Sequence, residues 1–350
     1  MSTCSGALTI LFEYLPYLGF ILRSTNVRNA FEMHGPLLRL ARKMLGPSTK
    51  LILSSEWDYS PYAYLEITSL RDFVLIGLPA PESENPLLLP LAGHELGHAV
   101  WNRRVDLEKL KDELSSKLLQ ELKDNWDKYR TCFPSSVTLP ENVVADRQAL
   151  KTFDQVRLWA LDQCKETFCD FIGLGIFGRS YLHAFAYLLS SCQMMRFPQY
   201  PSMKRRADDL HDAAKIMGYD VPLDYVQLFQ GEAPVVTDAE LLPLADAGAS
   251  GVRDHLIDLA LEKLREADVP TECNQRKIEE ICARFERFIV PPRDPEDLVS
   301  VINAAWIAYE KKDLWEDRPE VHKRKDAVLK DLVLKTVEVL EISHIMAEQE

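Results

Sequence analysis

The 350-residue chain lacks the features that mark several large classes of protein. It has no excess of basic residues, and its net charge of −13 argues against nucleic acid and anionic membrane surfaces, which bind a basic face. It has no CxxC pair, and its seven scattered cysteines are typical of reduced thiols. We therefore expect a cytoplasmic protein with no nucleic-acid partner and no membrane partner.

One apolar stretch, residues 6–22, raises the question of a signal peptide or a membrane anchor. It contains Glu13 and Pro16, and no basic residues precede it, so a buried helix or helix pair is the favoured interpretation. The chain shows no internal repeat and no low-complexity tract. Hydrophobic residues make up 47% of it and charged residues 27%, which is typical of a globular protein with an ample core.

The most informative segment is Leu91–Val100, LAGHELGHAV, which contains the motif HExxH. Residues four apart lie on one face of a helix, so His94 and His98 can direct two imidazoles at one metal ion. Glu95 lies beside that face, where its carboxylate can act as general base on a metal-bound water. A catalytic zinc site needs three protein ligands and one open position. The motif therefore predicts that a third ligand lies elsewhere in the chain.

Glu166, in the segment KETFCDFIGLG, is the candidate for that third ligand. Asp170 follows four residues later on the same face of a predicted helix, where it can fix the tautomer of His94 or His98. The alternative is a solvated helix face, but the apolar residues around Glu166 and Asp170 argue against it. The rival third ligands are Cys164, Cys169 and His183.

HExxH followed by ExxxD on a later helix resembles the gluzincin clan of zinc metallopeptidases, the thermolysin-like enzymes. The resemblance covers about residues 70–215, and Lys165 stands where the family often has Asn. It implies a Zn²⁺ cofactor and these site residues: His94, His98 and Glu166 as metal ligands, Glu95 as general base, and Asp170 as the partner of a histidine.

Peptide hydrolysis also needs a donor to the tetrahedral oxyanion, and thermolysin-like enzymes use a Tyr or a His. The candidates in this chain are Tyr181, His183, Tyr187, Tyr200 and His211. We predict Tyr181 and His183 as catalytic, although each candidate could equally be a packed or surface residue. Arg206, which follows Arg205, is the predicted substrate-binding residue, and a structural ion pair is its alternative.

The order of predicted elements is helix, short strands, HExxH helix and further helices. Three β-like runs, 50–53, 62–68 and 72–78, precede the HExxH helix. The segment FVLIGLP, 73–79, is either an edge strand that holds an extended peptide or an ordinary core strand. Residues 105–130 predict a solvated helix.

These elements predict an α+β, mostly helical fold with a small sheet over the HExxH helix in a thermolysin-like core. The predicted divisions are an N-terminal helical segment (1–48), a zinc metallopeptidase-like core (49–230) and a C-terminal helical subdomain (231–350). Residues 231–250, rich in Pro, Ala and Gly, predict a linker at the start of that subdomain.

The favoured function is a zinc-dependent hydrolase, an intracellular metalloendopeptidase or peptidase that acts on a peptide or protein substrate. One alternative is a zinc-containing binding or regulatory module without peptidase activity, and the intact Glu95 argues against it because a structural site needs no base. Another is a zinc hydrolase of a non-peptide amide. The C-terminal helices could recruit a protein partner.

Overall fold

The computed structural model describes residues 2–24, 31–56, 62–63, 70–190, 195–229, 231, 234–235, 240–290 and 298–347. In these residues the chain is mostly helical and carries one small sheet, so the predicted α+β class is confirmed. No helix in the described ranges is long and apolar enough to cross a bilayer.

The helices and strands follow the predicted order. The strands are β1 (Lys50–Glu56), β2 (Tyr62–Ala63) and β3 (Phe73–Pro79). The helices are α1 (Ser2–Ser24), α2 (His34–Leu45), α3 (Leu91–Arg104), α4 (Leu107–Asp124), α5 (Trp126–Tyr129), α6 (Arg147–Phe177), α7 (Arg179–Leu189), α8 (Met203–Ile216), α9 (Leu242–Gly251), α10 (Arg253–Glu266), α11 (Gln275–Glu286), α12 (Leu298–Glu310), α13 (Pro319–His322) and α14 (Lys325–Ala347).

The sheet has the strand order β1–β3–β2. β1 and β3 run parallel, with Lys50 opposite Phe73, while β2 pairs antiparallel with β3, with Tyr62 opposite Gly77. β3 therefore lies in the middle of the sheet, and the interpretation of residues 73–79 as a peptide-binding edge strand is wrong. Residues 64–68 of the predicted second strand lie outside the described residues.

The small sheet lies against α3, as predicted from the sequence. β2 and β3 both contact this helix. Nη2 of Arg103, at the end of α3, donates a hydrogen bond of 2.8 Å to the carbonyl oxygen of Phe73 at the start of β3. The side chain of Asn85 caps a short 3-10 turn, Pro86–Leu88, and α3 begins after Pro90.

Two segments pack more deeply than the sequence predicts. The predicted solvated helix at 105–130 is amphipathic α4, which buries a leucine every fourth residue from Leu110 to Leu122. The predicted linker at 231–250 contains part of helix α9, which packs on α4 and α6. A Cβ on Gly248 would lie 2.4 Å from Cδ2 of Leu118, so the small residues that suggest a linker here permit close helix packing.

Helix α6 is the centre of the packing. It begins after Asp146, whose carboxylate accepts hydrogen bonds from two backbone N–H groups, and ends at Gly178, which has a φ of +58°. It contacts α3, α4, α8, α9 and α10. The buried hydrophobic side chains form one cluster from Met33 to Leu340, on both sides of the boundary predicted at residue 230. The division into three parts stays a prediction.

Candidate metal centre

Helices α3 and α6 approach each other with their backbones in contact. A Cβ on Gly97 would lie 2.8 Å from Cα of Cys169, and a Cβ on Gly93 would lie 3.1 Å from Cα of Gly173. Real Cβ atoms essentially never come as close as the first of these distances, so the contact at residue 97 requires glycine. This close approach places the HExxH face of α3 beside the ExxxD face of α6.

Three predicted ligands converge at this contact. Ligand atoms of His94, His98 and Glu166 all lie within 4.8 Å of one another. Nε2 of His94 is 3.4 Å from Glu166 Oε2, and Nε2 of His98 is 3.7 Å from Glu166 Oε1. His94 and Glu166 are buried, while the His98 side chain is 20% exposed. This group could hold a metal ion.

Asp170 contacts His94 on the other side of the imidazole ring. Its Oδ1 lies 2.8 Å from Nδ1 of His94. When Nδ1 donates its proton to this carboxylate, the lone pair of Nε2 points toward Glu166 and is available to a metal. The structure thus brings together four of the five residues that the two sequence motifs name: His94, His98, Glu166 and Asp170.

The Asp170 carboxylate is held by two further side chains. Nε and Nη2 of Arg206, on α8, donate hydrogen bonds of 2.8 Å and 2.7 Å to it, and the Tyr181 hydroxyl donates one of 2.7 Å. Burial disfavours the charged carboxylate, but the Arg206 guanidinium outweighs this and holds the pKa of Asp170 well below its usual range. Asp170 therefore stays ionised as the partner of His94.

Charge is distributed unequally between the two histidines when no metal is bound. Burial alone would lower the pKa of His94, but the hydrogen bond and charge of Asp170 raise it to about 10. Burial lowers the pKa of His98 to about 4, and the neighbouring His94 cation contributes. Burial would raise the pKa of Glu166, yet His94 lowers it to about 2. The His94–Glu166 pair thus carries a proton that a metal would replace.

Glu95 lies beside these ligands as a buried carboxylate. It is 3% exposed, and its Oε2 atom has no hydrogen-bond partner among the described residues. Burial raises its pKa to about 7, although the His94 cation acts in the opposite direction. A carboxylate with a pKa near neutrality and a free lone pair is suited to accept and return a proton.

The two cysteines considered as rival ligands are buried thiols. Burial raises the pKa of Cys164 to about 12 and that of Cys169 well above its usual range. Neither belongs to the group of mutually close ligand atoms that His94, His98 and Glu166 form. Sγ of Cys169 instead lies 3.4 Å from Nδ1 of His98, the ring nitrogen that would face away from a metal held at Nε2.

The two residues predicted to stabilise an oxyanion make other contacts. The Tyr181 hydroxyl donates to Asp170. Nε2 of His183 accepts a hydrogen bond of 3.0 Å from Arg179, its Nδ1 lies 3.1 Å from Glu310, and its ring stacks on Trp306. Arg206 contacts Asp170 through two nitrogens, whereas the sequence predicts a substrate contact. The catalytic roles of Tyr181 and His183 and the substrate role of Arg206 stay predictions.

Tyr200, a further oxyanion candidate, lies in the loop that precedes α8. Nε2 of Gln163 donates a hydrogen bond of 2.8 Å to the carbonyl of Pro198, which ties the loop before α8 to α6 one turn from Glu166. The side chain of Tyr200 is partly exposed, and its pKa is raised by burial and then by the charge of Glu166. In the sequence, Pro198 and Pro201 indicate a break between helices at this point.

The remaining candidates lie in other contacts: the Tyr187 hydroxyl donates to Glu82, and His211 pairs with Asp212. The centre therefore combines three convergent residues that could hold a metal ion, a carboxylate that contacts one of them, and a second buried carboxylate, Glu95. Comparisons of the chain with protein-family models, with curated proteins and with solved structures find no match. The chemistry of the centre is accordingly judged from its own side chains.

Proposed function

We propose that this chain is a zinc-dependent peptidase whose ion is held by His94, His98 and Glu166. Two imidazoles and one carboxylate are a donor set that hydrolytic zinc sites use. When bound there, zinc would polarise the scissile carbonyl and activate a water molecule. The observation that carries the proposal is the buried Oε2 of Glu95, which has no hydrogen-bond partner among the described residues and lies beside the three ligands.

Glu95 acts as the general base in this proposal. Its carboxylate takes a proton from the attacking water and passes it to the leaving amine. The pKa of about 7 that burial gives this group would fall when a cation binds nearby, which keeps Glu95 ionised and able to accept the proton. A purely structural metal site would have no use for such a group.

Asp170, Arg206 and Tyr181 support the histidine ligand. Asp170 accepts the Nδ1 proton of His94 and so directs the Nε2 lone pair to the metal. Arg206 and Tyr181 donate to the same carboxylate and fix its position. These three residues orient His94, whereas Glu95 transfers the proton.

The order of elements supports a thermolysin-like core. A small sheet lies against the helix with HExxH, and a later helix carries the third ligand and its ExxxD partner. The acidic composition and the odd number of scattered cysteines support a cytoplasmic location, and a peptide or protein is the proposed substrate. The helices after residue 233 are proposed to select that substrate or to bind a partner.

The test combines metal analysis with cleavage of a peptide library. Purified protein should contain about one zinc per chain, cleave members of the library, and lose cleavage with a chelator such as 1,10-phenanthroline. Glu95→Gln should keep its zinc and lose nearly all turnover. Glu108→Gln, at an exposed glutamate of α4, is the matched control and should behave as wild type. Zinc-loaded protein that cleaves no peptide, or an active Glu95→Gln variant, would contradict the proposal.

A further inference from the structure

A row of leucines is exposed along α1. Leu8, Leu11, Leu15 and Leu18 are each between 51% and 59% exposed, and Leu22 continues the same spacing. We call these five residues the leucine row. Phe12, which lies next to it, is 67% exposed. A helix on the surface of a globular protein normally presents polar side chains to water, so this face is unusual.

The opposite face of α1 holds the helix to its own molecule. Phe20 is fully buried, and α1 contacts β1. The leucine row is therefore not the side by which the helix joins the fold. Pro16 follows Leu15, and its ring falls outside the row, although it removes one backbone hydrogen bond from the helix.

The spacing of the row is that of a coiled coil. Successive leucines are separated by three, four, three and four residues, which is a seven-residue repeat of two positions. This average spacing of 3.5 residues keeps one seam facing a partner helix as two helices wind around each other. The matching partner is a helix with the same repeat, and a second copy of α1 supplies it.

The exposed area is large enough for a pair of such helices. The five leucines of the row and Phe12 each expose on the order of 100 Å² of side chain. Two such surfaces packed face to face would bury roughly 1,000–1,200 Å² in total. That is about the lower limit for a specific protein interface. Two copies related by a twofold axis present the same surface to each other, which is the commonest symmetry of protein oligomers.

The charge of α1 favours a second copy over a lipid surface. The sequence of this helix has one acid, Glu13, and one base, Arg23, and the whole chain carries a net charge of −13. Helices that lie on anionic membranes carry many basic residues on their polar face. The leucine row itself carries no charge, so two copies of it can pack together without electrostatic repulsion.

We propose that α1 is a homodimerisation helix and that the leucine row of one chain packs against the leucine row of a second. The interface lies outside the metal centre and does not depend on the proposed catalytic activity. The oligomeric state can therefore be measured independently of zinc binding and peptide cleavage.

Sedimentation equilibrium of the full chain tests the proposal. Wild type should sediment as a dimer of the 40.0 kDa chain, whereas Leu11→Glu combined with Leu18→Glu should raise the dimer dissociation constant at least 100-fold. Leu158→Glu, at a leucine of α6 that is 54% exposed, is the matched control and should leave the dimer intact. Circular dichroism checks folding. If the double Glu variant unfolds, Leu11→Ala with Leu18→Ala must still weaken the dimer at least tenfold.

Three outcomes would overturn the proposal. The first is a wild-type monomer at every concentration, and the second is a dimer that all row variants leave unchanged. The third is flotation of a monomeric wild-type protein with neutral phosphatidylcholine vesicles that the double Glu variant abolishes, since the row would then bind lipid. The proposal is supported if the variants of the leucine row lose the dimer, Leu158→Glu keeps it, and the wild-type protein does not bind vesicles.

Discussion

Sγ of Cys169 lies 3.4 Å from Nδ1 of His98, so a sulfur orients one histidine of the centre where a carboxylate orients the other. Burial keeps Cys169 as a thiol, and its sulfur is a weak acceptor for the Nδ1 proton. His98 is consequently held less firmly than His94, whose Nδ1 lies 2.8 Å from Asp170. The two histidines should differ in their response to loss of these partners.

Cys169→Ala should weaken zinc affinity by only about threefold to tenfold, because it removes a weak hydrogen bond. Alanine also avoids any clash with Gly97, whose backbone lies against residue 169. Competition with a fluorescent zinc chelator measures the change. Cys164→Ala, at a buried cysteine on the same helix, is the matched control. A loss of all zinc in Cys169→Ala would mean that the thiol is itself a ligand.

Asp170→Asn should weaken zinc affinity or turnover by roughly 10–100-fold while the chain stays folded. The amide keeps the shape of the carboxylate but removes the charge that faces His94 and Arg206. The measurements are chelator competition and kcat/KM on a peptide substrate. Asp162→Asn, at a half-exposed carboxylate of the same helix, serves as control. Equal affinity and equal turnover in Asp170→Asn would show that the carboxylate does not support the site.

Zinc binding should release about one proton near pH 8. The pKa of His94 is about 10 without metal, so the ring is protonated below that pH, and a bound metal must displace the proton. Apparent affinity should therefore rise as pH increases from 7 to 9, by up to about tenfold per pH unit. Titration calorimetry in buffers of different ionisation enthalpy counts the protons. Binding without proton release at pH 8 would contradict the assignment.

The metal-free protein should lose stability as pH rises. His94 has a folded pKa of about 10, above its ordinary 6.5, so its contribution is complete below pH 6.5 and is lost as pH rises through 10. Glu95 acts in the same direction between pH 4.5 and 7, because its raised pKa makes the charged form unfavourable in the fold. The lowered pKa of His98 acts in the opposite direction below pH 6.5, so the melting temperature of chelator-treated protein should fall clearly only from pH 7 to pH 10. A melting temperature that rises over this interval would contradict the His94 shift.

Tyr200→Phe should lower kcat by about 10- to 100-fold and leave zinc content unchanged, if the phenol donates to the oxyanion. Tyr200 lies in the loop that Gln163 ties to α6, and the charge of Glu166 contributes to its raised pKa. Tyr187→Phe removes a hydroxyl that bonds to Glu82 and is the control. The expected signature is a fall in kcat with KM little changed. A wild-type kcat would remove Tyr200 from the proposed mechanism.

Short peptides should be cleaved more efficiently than casein. The side chains of His94 and Glu166 are each 9% exposed and that of His98 is 20% exposed, so the ligands lie below the surface. The helices after residue 233 are the proposed selectors of substrate. Rates on a peptide library and on fluorescent casein give the comparison, with each rate checked for loss in the Glu95→Gln variant. Vigorous casein digestion would contradict restricted access.

The sequence predicted which residues converge at the centre better than it predicted their surroundings. His94 and His98 are one turn apart on one helix, as are Glu166 and Asp170, and such local spacing is preserved in any packing of the two helices. The contact of Arg206 with Asp170 depends on how α8 packs against α6, which no local pattern records. Strand order is likewise nonlocal, so the periodicity of residues 73–79 could not tell a central strand from an edge strand.

The contact of Gly97 with Cys169 leaves no room for adjustment between the two halves of the metal centre. If flexible side chains separated the two helices, the helices could tilt or slide against each other. Because their backbones are in contact at this point, α3 and α6 must move as one body. Any widening that admits a substrate has to come from parts that border this pair, such as the loop that carries Tyr200 or the β2 edge of the sheet. Redesign of the protein toward a different substrate should accordingly vary those borders and leave the helix pair untouched.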